Sequence, residues 1–148
     1  MKVEKYALKS ESSLNIFEFI SEGPKGIIRK LVQFQATNEP GLYNLAFGDK
    51  NAETNEIDDL AISNNNDSEK VLATVVASLY AFFDKYPDAF VYATGSTTAR
   101  TRLYRMGITR FYNEMIKDFY LYGQVEDEFY SFEIGTDYIG FLAQRKFN

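Results

Sequence analysis

Apolar residues recur every three or four positions over residues 68–86, where Val71, Leu72, Val75, Val76, Leu79, Tyr80, Phe82 and Phe83 form one stripe. That period is helical, and it predicts the longest helix of the chain. Asn66, Asp67 or Ser68 can cap its first turn, and Asn66 with Glu69 three residues on has the form of a capping box. Pro87 ends it. Upstream the pattern changes to that of strands. Residues 13–20 place Phe17 and Phe19 on one face, Gly23-Pro24-Lys25-Gly26 signals a turn, and residues 27–36 supply the return. A second turn at Asn38-Glu39-Pro40-Gly41 leads into a third strand over residues 42–48, so an antiparallel meander is expected. Residues 49–67 are polar, which predicts a loop with a short strand at 59–62.

Beyond Pro87, residues 89–94 (AFVYAT) are a short continuous apolar run, as in a strand covered on both faces. Gly95, Ser96 and Thr97 lead into a second helix with Tyr104, Ile108, Phe111, Met115 and Phe119 on its buried stripe and Gly107 as the place where it bends. Strands are expected at 120–125, 128–134 and 137–145, the last two joined as a hairpin through Gly135-Thr136. The order β-β-β-α-β-α-β-β predicts an α+β fold: a mixed, mostly antiparallel sheet with two main helices, in a single domain over residues 1–148. A helix between the third and fourth strands is a crossover, which makes those two strands parallel. Ligands of such sheets sit at strand carboxyl ends, beside the start of the next helix. Two such starts exist, at residues 64–68 and 95–98.

Composition narrows the chemistry. With 45% hydrophobic and 16% aromatic residues there is material for a packed core. The chain has neither cysteine nor histidine, which removes disulfides, thiolate nucleophiles, the usual general base and the commonest metal ligand. Acid–base work falls to carboxylates, tyrosines or lysines. Asp58 and Asp59 are adjacent, and neighbouring carboxylates of a strand point to opposite faces, so no metal site is expected. A net charge of -5 disfavours binding to a phosphate backbone, which needs several clustered cations. No run approaches the ~18 apolar residues that span a bilayer, and residues 1–12 lack an apolar leader segment, so a cytoplasmic protein without membrane attachment is expected.

Four of the six arginines, Arg100, Arg102, Arg105 and Arg110, fall within residues 90–112. By helical position Arg100 lies at the edge of the buried stripe, Arg105 flanks its other side, and Arg102 and Arg110 face away. Arg100 and Arg102 share the first turn, where free amides and the helix dipole also favour negative charge. Gly95, Ser96, Thr97, Arg100 and Arg102 are therefore candidate ligands for an anion, with Asn66, Asp67 and Ser68 at the other helix start. Two alternatives stand beside this. The arginines can pair with Asp58, Asp59, Asp67 or Glu69 as a structural brace, or they can face an acidic protein partner.

Strand, helix, strand, helix and two strands is also the order of the second half of the GCN5-related N-acetyltransferase fold. ARTRLYRMGI at residues 99–108 resembles that family's fourth-helix motif. The resemblance implies an acyl-coenzyme A cofactor, Tyr104 as the acid that protonates the departing thiolate, and residues 64–71 in the pyrophosphate loop. That loop reads Asn-Asn-Asn-Asp at 64–67, where the family carries closely spaced glycines. The strings YNLAFGD, NNNDSEKVLATV and GSTTARTRLYRMGI resemble a family of short, uncharacterised bacterial proteins classed only as a domain of unknown function. Two functions follow: an acyltransferase-like domain binding a phosphate-bearing ligand, acyl-coenzyme A or nucleotide; or a non-catalytic interaction module, such as half of a bacterial regulatory or toxin–antitoxin pair, acting as monomer or homodimer.

Overall fold

A computed structural model of the chain describes residues 3–58, 64–95 and 97–147. Ser96 and the short strand expected at 59–62 lie outside the described residues. Those described form strands β1 (Lys9–Ser10), β2 (Ile16–Gly23), β3 (Gly26–Ala36) and β4 (Leu42–Asp49), helix α1 (Ser68–Lys85) and strand β5 (Phe90–Ala93). Helices α2 (Thr98–Arg110) and α3 (Tyr112–Asp118) follow, then β6 (Phe119–Val125), β7 (Glu128–Ser131) and β8 (Gly140–Arg145). The fold is α+β, with one mixed, mostly antiparallel sheet in the order β1-β2-β3-β4-β5-β8-β6-β7. β4 and β5 pair in parallel from Leu42 opposite Phe90 to Leu45 opposite Ala93. Among the described residues no helix is long and apolar enough to cross a membrane, and no three His, Cys, Asp or Glu residues are grouped to hold a metal ion.

Contacts divide the chain into two compact units, Met1–Phe34 with Ala46–Lys85, and Gln35–Leu45 with Tyr86–Asn148. In the first, β2 and β3 form the expected hairpin, closed by Gly23 opposite Gly26. Gly26 has φ +87°, a backbone state that costs glycine nothing. Strand β2 begins three residues later than expected, because Leu14 adopts φ 56° and donates its N–H to the Glu11 carbonyl in a turn. Alternation places Phe17, Phe19, Val32, Phe34 and Phe47 in the core, with the helical stripe Val71, Leu72, Val75, Val76, Leu79, Phe82 and Phe83. The rings of Phe34 and Phe82 stack 4.3 Å apart, and burial of such side chains contributes about 1.5–3 kcal/mol each.

This aromatic core holds Lys30 and Asn65, both with partners. Lys30, 1% exposed, reaches the Asp49 carboxylate at 2.6 Å and lies 5.8 Å from the Phe47 ring centre. Asn65, also 1% exposed, accepts the Lys25 N–H at 2.7 Å and donates to the Gly26 carbonyl at 2.9 Å and the Ser21 hydroxyl at 3.2 Å. The tip of the β2–β3 hairpin is thereby fastened to the chain entering α1. A Cβ at Gly23 would stand 2.1 Å from the Asn65 carbonyl oxygen, so only glycine admits this approach.

The second unit departs from expectation at its end. The hairpin foreseen through Gly135-Thr136 does not form. β7 pairs with β6 across the turn at Glu126, where φ is 55°, and β8 inserts between β5 and β6. Gly135 does occupy a turn, with φ +90°. The intervening segment, however, turns inward to bury Phe132 and Tyr138 instead of continuing a ladder. Gly123 makes room for it, since a Cβ there would stand 2.4 Å from the Tyr138 ring. The second helix also differs. Gly107 is buried inside a continuous α2, and the break comes at Phe111 (φ -109°, ψ 17°), after which Met115 lies in α3 and Phe119 already opens β6. Tyr104 and Ile108 are half-buried, while Phe111, Met115 and Phe119 are core.

Because Phe82 is fully buried against Phe34 and Phe83, Phe82→Ala is expected to destabilise the fold by about 3–5 kcal/mol. A urea titration checks this. The midpoint should fall with little change in slope, and a cost under about 1 kcal/mol would contradict the packing.

Candidate functional site

The turn from β5 into α2 is built by close backbone approach. A Cβ at Gly95 would lie 2.4 Å from both the Arg100 Cβ and the Thr101 amide nitrogen, so glycine lets the turn fold against the helix it precedes. Thr97, in extended conformation, caps the helix: its Oγ1 accepts the Arg100 N–H at 3.2 Å, and its carbonyl accepts the Thr101 N–H at 3.1 Å. The Thr101 hydroxyl accepts the Gly95 N–H at 3.1 Å. Gly95 and Thr97, singled out as anion ligands, thus serve the junction itself. Arg100 is 8% exposed and belongs to the interior of this unit.

A different face of α2 opens outward. Thr98, Thr101, Arg102 and Arg105 follow the spacing i, i+3, i+4, i+7, which aligns them along one side of a helix. With Asp137, Tyr138 and Ile139 they line a cleft of about 320 Å³. Arg102 and Arg105, expected on different sides of the helix, therefore share one cleft. Arg102 is exposed and has neither hydrogen bond nor ion pair among the described residues. Arg105 pairs with Asp137. Tyr138 holds the opposite wall, its hydroxyl accepting the Glu133 N–H at 3.0 Å. Two guanidiniums lining one cleft can take an oxyanion through several charge-assisted hydrogen bonds, while the Thr101 hydroxyl is already engaged by the Gly95 N–H and the Thr97 carbonyl. Thr98, Thr101, Arg105, Asp137 and Tyr138 were absent from the sequence-derived site. The helical spacing of the first three was a usable signal, whereas Asp137 and Tyr138 arrive through the unforeseen course of the β7–β8 connection.

Asn66, Asp67 and Ser68 belong to the first unit and gather at the start of α1. Asn66 has φ 60° and donates its N–H to the Asn64 side-chain oxygen at 2.9 Å. The Asp67 carbonyl accepts the Val71 N–H at 2.9 Å, opening the helix. Its carboxylate accepts the hydroxyls of Tyr6 and Ser21, each at 2.5 Å. Val3, Glu4, Asn66, Asp67, Ser68, Glu69 and Lys70 line an open hollow here. Tyr6, which no sequence signal marked, anchors the N-terminal segment. Its N–H reaches Thr74 Oγ1 at 2.8 Å, its ring stacks on Phe19 at 5.7 Å, and the Lys70 ammonium lies 4.2 Å above it. Burial first, and then the hydrogen bond to Asp67, raises the Tyr6 pKa above its ordinary value of 10.0.

Two outcomes are expected. Since the folded state holds Tyr6 protonated, its contribution to stability is complete below pH ~10 and lost as the pH rises through the elevated value. Urea midpoints measured from pH 8 to 11 should fall above pH 10, and the fall should be shallower in Tyr6→Phe. Gly95→Ala forces its methyl into the α2 backbone and should cost about 1–3 kcal/mol in the same assay; an unchanged midpoint would contradict the close approach.

No curated protein and no solved structure matches the chain. A family model described as "Family of unknown function (DUF6934)" matches residues 2–146, and the chain belongs to that family.

Proposed function

We propose that the cleft beside α2 receives a phosphate-bearing ligand, and that the chain is an acyltransferase-like module whose ligand is an acyl-coenzyme A or a nucleotide. The observation that carries this is Arg102: an exposed guanidinium on the same helix face as Thr98, Thr101 and Arg105, lining one cleft. In a chain of net charge -5, such a local cluster suits one small anion better than an extended polyanion. The parallel β4–β5 pair, followed by α2, supports the acyltransferase-like part of the proposal, since it fits the strand and helix order of the acetyltransferase resemblance. Tyr104 is half-buried and does not line this cleft, so no proton transfer is assigned to it.

Thermal-shift titrations with acetyl-coenzyme A, ATP and pyrophosphate test the proposal. A ligand present at 100 times its dissociation constant adds about 2.7 kcal/mol to stability, a readily measured rise in melting temperature. Arg102→Ala, at an exposed position, should leave the unliganded melting temperature unchanged and abolish the shift. No shift with any of the three at millimolar concentration overturns the proposal; a native acidic protein co-purifying through Arg102 would then identify the cleft as a protein-binding surface.

A further inference from the structure

The ion pair within the cleft is lopsided. The Arg105 side chain is 29% exposed, whereas that of Asp137 is 95% exposed. A carboxylate standing almost wholly in water contributes little to stability by pairing with a guanidinium, because solvent screens the attraction and two side chains must be ordered. The backbone around Asp137 is fixed independently of that pair. Tyr138 is buried, and the Ile139 N–H donates to the Gln124 carbonyl at 2.9 Å. The Asp137 carboxylate can therefore leave Arg105 by side-chain rotation alone.

Resting on the assignment of this cleft as an anion site, we propose that Asp137 is an internal stand-in for the ligand's second negative group, occupying Arg105 until a diphosphate displaces it. Arg102 and Arg105 are one helical turn apart and line the same cleft, so a ligand engaging both must carry oxyanions on neighbouring groups. A diphosphate does so: one phosphoryl group meets Arg102 beside Thr98, and the next replaces Asp137 at Arg105. A monocarboxylate or a single phosphate satisfies Arg102 and leaves Asp137 in place. The ligand class is thus the diphosphate group common to nucleotides and coenzyme A. Asp137 sets the selectivity by penalising any anion too small to replace it.

Calorimetric titration of pyrophosphate and of inorganic phosphate into the wild-type chain, D137N, R105A and the double variant tests this. Pyrophosphate should bind D137N more tightly than wild type, by roughly two- to fivefold, the range for an exposed ion pair. Removing Asp137 should also narrow the preference for pyrophosphate over phosphate. The gain should vanish in the R105A background, because it depends on freeing that guanidinium. Pyrophosphate binding that D137N leaves unchanged or weakens overturns the displacement and leaves the cleft an anion site. Absence of pyrophosphate binding to both wild type and D137N overturns the anion site itself. Binding that succeeds can be assigned to source by comparing ADP with coenzyme A, and loss of both on Arg102→Ala confirms the shared diphosphate as the recognised group.

Discussion

The parallel pairing of β4 with β5 is the constraint on which the architecture depends. Antiparallel neighbours can be joined by two residues, as at the tip of the β2–β3 hairpin, but parallel neighbours require the chain to travel back along the sheet before it can pair again. Here that return passes through α1. The requirement explains why the strongest helical period in the sequence falls between these two strands. It also puts a helix start in the chain after β4 and another directly after β5. Each start is sealed from within: Asp67 and Thr97 open their helices with their own carbonyls, and Thr97 adds a side-chain cap.

The arginines illustrate how one residue type divides between two environments in a single helix. Arg100 is withdrawn into the interior, where its neighbours are fixed by Gly95 folding against the helix. Arg102, two positions on, points to the opposite side and remains in water. The difference of about 200° around the helix axis separates a buried guanidinium from an exposed one. Charge tells the same story at larger scale, since a chain with an excess of acidic residues concentrates guanidinium on one helix. The polar groups under α1 follow a related rule. Lys30 and Asn65 are tolerated in an aromatic core because carboxylate, carbonyl and amide partners stand within hydrogen-bonding distance of them.

Much of the fold was legible in the sequence. The stripe from Val71 to Phe83, the meander closed at Gly23 and Gly26 and the parallel pair follow from periodicity, turn signals and element order. What the sequence hid was non-local. Gly135 signals a turn correctly, yet a turn residue reports only its own backbone state and is silent on which strands pair afterwards; β8 chose β5 and β6 because Phe132 and Tyr138 fill the core on the way. The break at Phe111 has no glycine or proline to announce it. The candidate cleft was half legible: its arginines stood out by type, but pairing Arg102 with Arg100 in the first turn concealed that Arg102 and Arg105 align with Thr98 and Thr101. Its opposite wall came from a segment whose path depends on packing.

The position of β8 between β5 and β6 bears on how the chain comes to be folded. Until residues 140–145 pair with them, β5 and β6 each have an edge with no neighbour to satisfy it. An unpaired strand edge invites pairing with another chain. A second unit in which β8 has not yet docked therefore has backbone exposed to misassembly, whereas the hairpins of the first unit pair neighbours in sequence. The finished sheet bears no trace of that exposure.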